Sequence, residues 1–73
     1  SKLKGMLVAE HQQLEEQLLR RLDWLAAGPT VDGVAIDVDM RWLEEGRRLF
    51  ELAMMAINRA VLMPSRVEIV RDD

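Results

Sequence analysis

The chain has 73 residues, a single histidine, no cysteine and a net charge of −3. A chain this short holds one domain near the lower limit for a self-sufficient core, so it calls for disulfides, metals or association. The cysteine and histidine counts exclude disulfides, thiolate metal sites and histidine-rich metal sites, and leave association.

The negative charge argues against a DNA or RNA polymer as partner, because long-range attraction to phosphates needs a positive field. A local cluster of arginines can still hold a small anion. No apolar run approaches the ~20 residues needed to cross a bilayer, so no membrane partner is expected. Ser1-Lys2-Leu3-Lys4 lacks the long apolar segment of a signal peptide. With no cysteine present, the expectation is a cytoplasmic protein.

The first predicted helix runs from about residue 2 to 27. Leu3, Leu7, Leu14, Leu18, Leu22 and Leu25 recur in steps of mostly three and four, with His11 filling the gap between Leu7 and Leu14. This is the stripe expected to pack. Glu10, Gln13, Glu16, Gln17, Arg20 and Asp23 fill the opposite face. Gly28-Pro29 is a strong stop, since glycine accepts a left-handed cap and proline cannot extend the helix.

Residues 28–38 form the predicted loop. Val34, Ile36 and Val38 alternate with Ala35 and Asp37, which suggests a short extended segment too brief to count as a sheet.

The second predicted helix spans about 39–63, with Asp37 or Asp39 available to cap its first amides. About 25 residues at ~1.5 Å each give a rod of roughly 37 Å. It carries two apolar faces. One is Leu43, Phe50, Ile57 and Val61; the other is Trp42, Gly46, Leu49, Ala53, Ala56 and Ala60. A helix apolar nearly all round is buried nearly all round, and helix one can cover only one side. The expected fold is therefore all-α: an antiparallel two-helix hairpin assembling into a homo-oligomeric helical bundle. Gly46 costs about 1 kcal/mol against alanine inside a helix, so it calls for a tight helix crossing or a ligand held against the backbone. The tail, 64–73, contains Val67-Glu68-Ile69-Val70, either an arm that docks on a neighbour or a frayed end.

Catalytic and metal constellations are weak. His11 has no cysteine beside it, and the chain's two serines are Ser1 and Ser65. A lone histidine on an apolar stripe reads as a satisfied interface residue. Glu15-Glu16 and Glu44-Glu45 suggest a di-metal site, but that chemistry needs a Glu-x-x-His on a helix, and Val8 stands three residues before His11. Glu15, and Glu44 with Arg48, read instead as solvated faces. Neither metal nor cofactor is expected.

The arginines carry more information. Arg41, Arg47, Arg48 and Arg59 lie on helix two. Arg41 sits in the first turn, where free amides and the positive end of the helix dipole favour anions. Arg41 and Arg48 share a face. Arg59 interrupts the most apolar stretch, where a buried guanidinium needs an acid such as Glu51, a carbonyl or a phosphate. Trp42 offers either a stacking surface for a base or part of the hairpin core.

Arg41-Trp42-Leu43, then Met55-Ala56-Ile57-Asn58-Arg59-Ala60-Val61, then Pro64, resembles the helical hairpin of the phage anti-CBASS cyclic-oligonucleotide sponges, a hairpin shared with some anti-Thoeris sponges. The resemblance covers about residues 39–64. It implies an all-α hexamer that sequesters cyclic dinucleotides or trinucleotides in separate intersubunit pockets without altering them. It implies Arg41 and Lys4 as the leading phosphate contacts, then Arg47, Arg48 and Arg59. The family's dinucleotide pocket uses an aromatic residue ahead of helix one, and this chain has no tyrosine, so the resemblance carries trinucleotide binding further. Two other readings stay open: a purely structural helical interaction module, and a small all-α enzyme like the chorismate-mutase dimers, which normally have a longer first helix and a third.

Overall fold

A computed structural model describes residues 1–63. The expected arm at 67–70 and Pro64 lie outside the described residues.

The order of elements is α1 (Lys2–Ala26), β1 (Thr30–Val31), β2 (Val34–Ala35) and α2 (Met40–Leu62). Ser1 caps α1, its hydroxyl accepting from the Lys4 amide at 3.2 Å. Gly28, at φ +79°, turns the chain out of α1 as the Gly-Pro pair predicts. Asp39, not Asp37, caps α2: its carboxylate accepts from the Arg41 and Trp42 amides at 3.0 and 3.1 Å.

The loop holds more order than expected. Asp32 and Gly33 both have positive φ, 50° and 78°, the geometry of a two-residue hairpin turn. Thr30 pairs with Ala35 and Val31 with Val34, and the Ile36 amide donates to the Pro29 carbonyl at 2.9 Å. Val31-Asp32-Gly33-Val34 is itself the sequence signal for such a turn. The chain is mostly helical, two helices with a ribbon of two residues per strand at the bend.

The helices form an antiparallel hairpin. Two cross-helix contacts set its register: His11 with Asn58 near the open end and Asp23 with Arg47 nearer the loop. Along α2 the half-buried or buried positions are Leu43, Glu45, Arg47, Phe50, Met54, Asn58 and Val61, and Leu43, Phe50 and Val61 belong to the first predicted face. Ile57 falls out of it, 46% exposed, and Met54 takes the centre at 8%.

On α1 the predicted stripe is wrong over most of its length. The half-buried positions are Lys4, Val8, His11, Glu15, Leu19, Leu22 and Leu25. Leu3, Leu7, Leu14 and Leu18 are exposed and lie beside the seam. Both stripes step by threes and fours, so periodicity alone cannot say which of the two takes the partner. Glu15 is correspondingly half-buried in the seam and not on a solvated face.

Met54 is the sole buried member of the hydrophobic core among the described residues. The second predicted face of α2, from Trp42 through Gly46, Leu49, Ala53 and Ala56 to Ala60, is exposed throughout. Helix one does cover only one side of helix two.

Candidate functional site

The first turn of α2 and the ribbon beside it place Arg41 and Trp42 at one end of the hairpin. Arg41, Trp42 and Glu45 line an open depression there. Trp42 is 71% exposed, so its indole is not hairpin core. The Arg41 guanidinium has neither a hydrogen bond nor an ion pair among the described residues.

Arg48, one face-turn further on, grips Glu45 with both Nη2 and Nε, at 2.6 and 3.1 Å. The sequence sets Arg48 with Glu44 at i,i−4; the structure pairs it with Glu45 at i,i−3 instead. The Arg48 hydrogen bond holds the Glu45 carboxyl below its ordinary value, and the same bond raises Arg48. A depressed acid stabilises the fold above its ordinary range, and the contribution is lost as pH falls through the lowered value. Both groups are solvent-exposed, so the effect on stability is small.

The remaining expected ligands do not join this cluster. Arg47 points into the hairpin and pairs with Asp23 at 2.8 Å, so it ties the helices together. Arg59 is exposed rather than buried, and lines a separate open groove with Leu52, Met55, Ala56, Asn58, Leu62 and Met63. It lies about 27 Å along α2 from Arg41 by helical rise. Lys4 is half-buried at the open end of the hairpin, roughly 33 Å of α1 away from the loop end. One protomer therefore brings Arg41, Trp42 and Glu45 together, with Arg48 joined to them through Glu45, and leaves Arg59 and Lys4 at the other end.

The expected anion site on free amides at the start of α2 is overturned. The Arg41 and Trp42 amides are taken by the Asp39 carboxylate, and the Leu43 amide donates to the Asp39 carbonyl at 2.9 Å. The capping acid also puts a negative charge where a phosphate would have to sit. What this end offers an anion is side chains and not free amides.

His11 is satisfied, as its setting suggests: Nδ1 donates to Asn58 Oδ1 at 2.7 Å across the seam. The pair acts as a polar pin in a stripe of otherwise sliding three-four spacing. Asn58→Ala leaves the half-buried imidazole without this acceptor and is expected to cost about 1 kcal/mol, read as a lowered urea midpoint. Among the described residues no group of three or more His, Asp or Glu side chains could hold a metal ion, and no helix is long and apolar enough to cross a membrane.

Sequence reasoning missed Glu45, whose carboxylate sits between Trp42 and Arg48, and it missed the Arg59 groove. The exposed apolar run around Arg59 was visible in the sequence, but its expected burial hid the groove. No protein-family model matches the chain, and neither a curated protein nor a solved structure is significantly similar to it.

Proposed function

We propose that this chain is a non-catalytic sponge that sequesters cyclic oligonucleotides, foremost cyclic trinucleotides, between protomers of a homo-oligomer. In this reading it belongs with the phage anti-CBASS sponges it resembles, acts as a hexamer in the cytoplasm of the infected host, and lowers free signal so that the defence effector stays inactive. The observation that supports it most is the corner formed by Arg41 and Trp42. A guanidinium with no partner among the described residues stands beside a tryptophan 71% exposed. Guanidinium to phosphate and indole to base are the two contacts a nucleotide needs.

Mechanism then requires no reacting group. Arg41 donates charge-assisted hydrogen bonds to phosphate oxygens, and Trp42 offers its face to a base. Arg48 adds positive charge nearby, reduced by its bond to Glu45. Arg59 and Lys4 contribute only from other copies, since helical rise separates them from Arg41 within a protomer.

A second reading has its own support. Arg47 and Arg48 already hold carboxylates within the protomer, which suits a purely structural interaction module. Depletion separates the two. Protein in excess over a cyclic trinucleotide should strip it from the filtrate of a size cut-off membrane and release it chemically intact on heating. An undepleted filtrate favours the structural module, and a cleaved nucleotide contradicts the absence of catalysis.

A further inference from the structure

The outward face of α2 has a regularity that the hairpin does not use. Trp42, Gly46, Leu49, Ala53, Ala56 and Ala60 stand alternately four and three residues apart, and all are exposed. That is a strict heptad seam, with a mean step of 3.5, and no charge falls on it. Glu45, Leu52 and Arg59 run along one edge of it at intervals of seven.

The order of large and small residues chooses a partner. If a second copy of this face is laid antiparallel, Trp42 meets Ala60 of the second copy, Gly46 meets Ala56, and Leu49 meets Ala53. Each large side chain lies over a small one, so two backbones can approach closely with the space filled. In an antiparallel pair the same edges of the two seams meet. Glu45 then lies against Arg59 of the second copy, Leu52 against Leu52, and Arg59 against Glu45. A parallel pair stacks Trp42 on Trp42 and Gly46 on Gly46, and sets Glu45 beside Phe50 with no opposite charge. The charges and the sizes select the same arrangement independently.

We infer that two copies of this chain pair through these α2 faces, antiparallel, about a two-fold axis near Glu51 and Leu52. The contact is isologous, so it closes on itself. At about 100° of turn per residue, the exposed Leu3, Leu7, Leu14 and Leu18 of α1 fall on the same side of the hairpin as this face. The apolar layer therefore continues onto α1. Each end of the pair gathers Arg41 and Arg48 of one copy with Arg59 of the other around Glu45. This brings to one place arginines that a single protomer holds apart. The pairing stands on the α2 pattern alone and does not rest on the ligand reading; it covers one face of the Trp42 indole, so a base would stack on the other.

Because the chain has no cysteine, single cysteines report the geometry cleanly. Leu52→Cys should cross-link to itself under mild oxidation. Glu45→Cys and Arg59→Cys should not, since each lies about 20 Å from its own counterpart, beyond the ~7 Å limit between Cα atoms. A mixture of those two variants should form the mixed cross-link. In parallel, Arg59→Glu should raise the dimer dissociation constant about tenfold or more in sedimentation equilibrium, and the double variant E45R/R59E should restore it. A monomer at all concentrations overturns the inference. So does self-cross-linking of the Glu45→Cys or Arg59→Cys variant in preference to Leu52→Cys, or association with no cross-link through residue 52. A silent ligand titration alongside a positive Leu52→Cys result would reject the sponge and keep the dimer.

Discussion

Met54→Lys is expected to unfold the hairpin. Met54 is 8% exposed at the middle of the α1–α2 seam and is the sole buried member of the hydrophobic core among the described residues. A lysine there either buries an unpaired ammonium, at a cost of several kcal/mol, or withdraws it by opening the seam. A chain of this size has little more than about 3–5 kcal/mol of stability to lose. Nor can the helices persist by themselves, because isolated helices in water are marginal without an apolar face to bury. The far-ultraviolet circular dichroism of the variant should lose most of its helical signal at 25 °C. Met54→Leu, which nearly conserves volume, should melt within about 1.5 kcal/mol of the parent. A cooperative helical melt for the lysine variant would show that stability resides in the outer faces and not in the seam.

Arg41→Glu is expected to remove the proposed nucleotide binding while leaving the hairpin intact. The guanidinium makes no contact that holds the fold among the described residues, whereas the cap depends on the Arg41 amide, which every residue but proline supplies. A guanidinium bond to phosphate contributes about 1.5–3 kcal/mol, and the introduced carboxylate adds repulsion on top. At ~1.4 kcal/mol per tenfold, affinity should fall about 10²- to 10³-fold with an unchanged melting curve. Arg47→Glu serves as the contrast. It breaks the 2.8 Å pair with Asp23, so its effect should appear in the melt and reach the ligand only through the fold. Equal losses of affinity in both variants, each with a lowered melting point, would remove Arg41 from the site.

Much of the fold was legible from local chemistry. Both helix spans follow from apolar spacing and local signals, Gly28-Pro29 ending α1 and Asp39 capping the start of α2. The ribbon is legible too, through Asp32-Gly33 between valines, a turn signal that the alternation at Val34, Ile36 and Val38 does not carry. What periodicity could not supply was the choice between adjacent stripes on α1. That choice is made by partners far away in sequence: His11 finds Asn58 and Asp23 finds Arg47, and these place Lys4, Val8 and Glu15 inward while Leu3, Leu7, Leu14 and Leu18 turn out.

The candidate site divides in the same way. Arg41 and Trp42 are adjacent in sequence and remain together. The resemblance groups Lys4 and Arg59 with them, and antiparallel geometry sends both to the opposite end of the protomer. The helix mouth misled for a different reason. An aspartate that caps a helix stabilises it by occupying the amides that an anion would otherwise use, so one residue cannot signal both a good cap and a free anion site.

The central claim is that this protein binds a cyclic oligonucleotide without changing it. Isothermal titration of the folded, associated protein with cyclic di- and trinucleotides tests it most directly. A sponge gives saturable heat at micromolar or lower ligand with a trinucleotide, at a stoichiometry below one ligand per chain, as expected for pockets shared between copies. No heat from any cyclic nucleotide, with association and helical content intact, would contradict it.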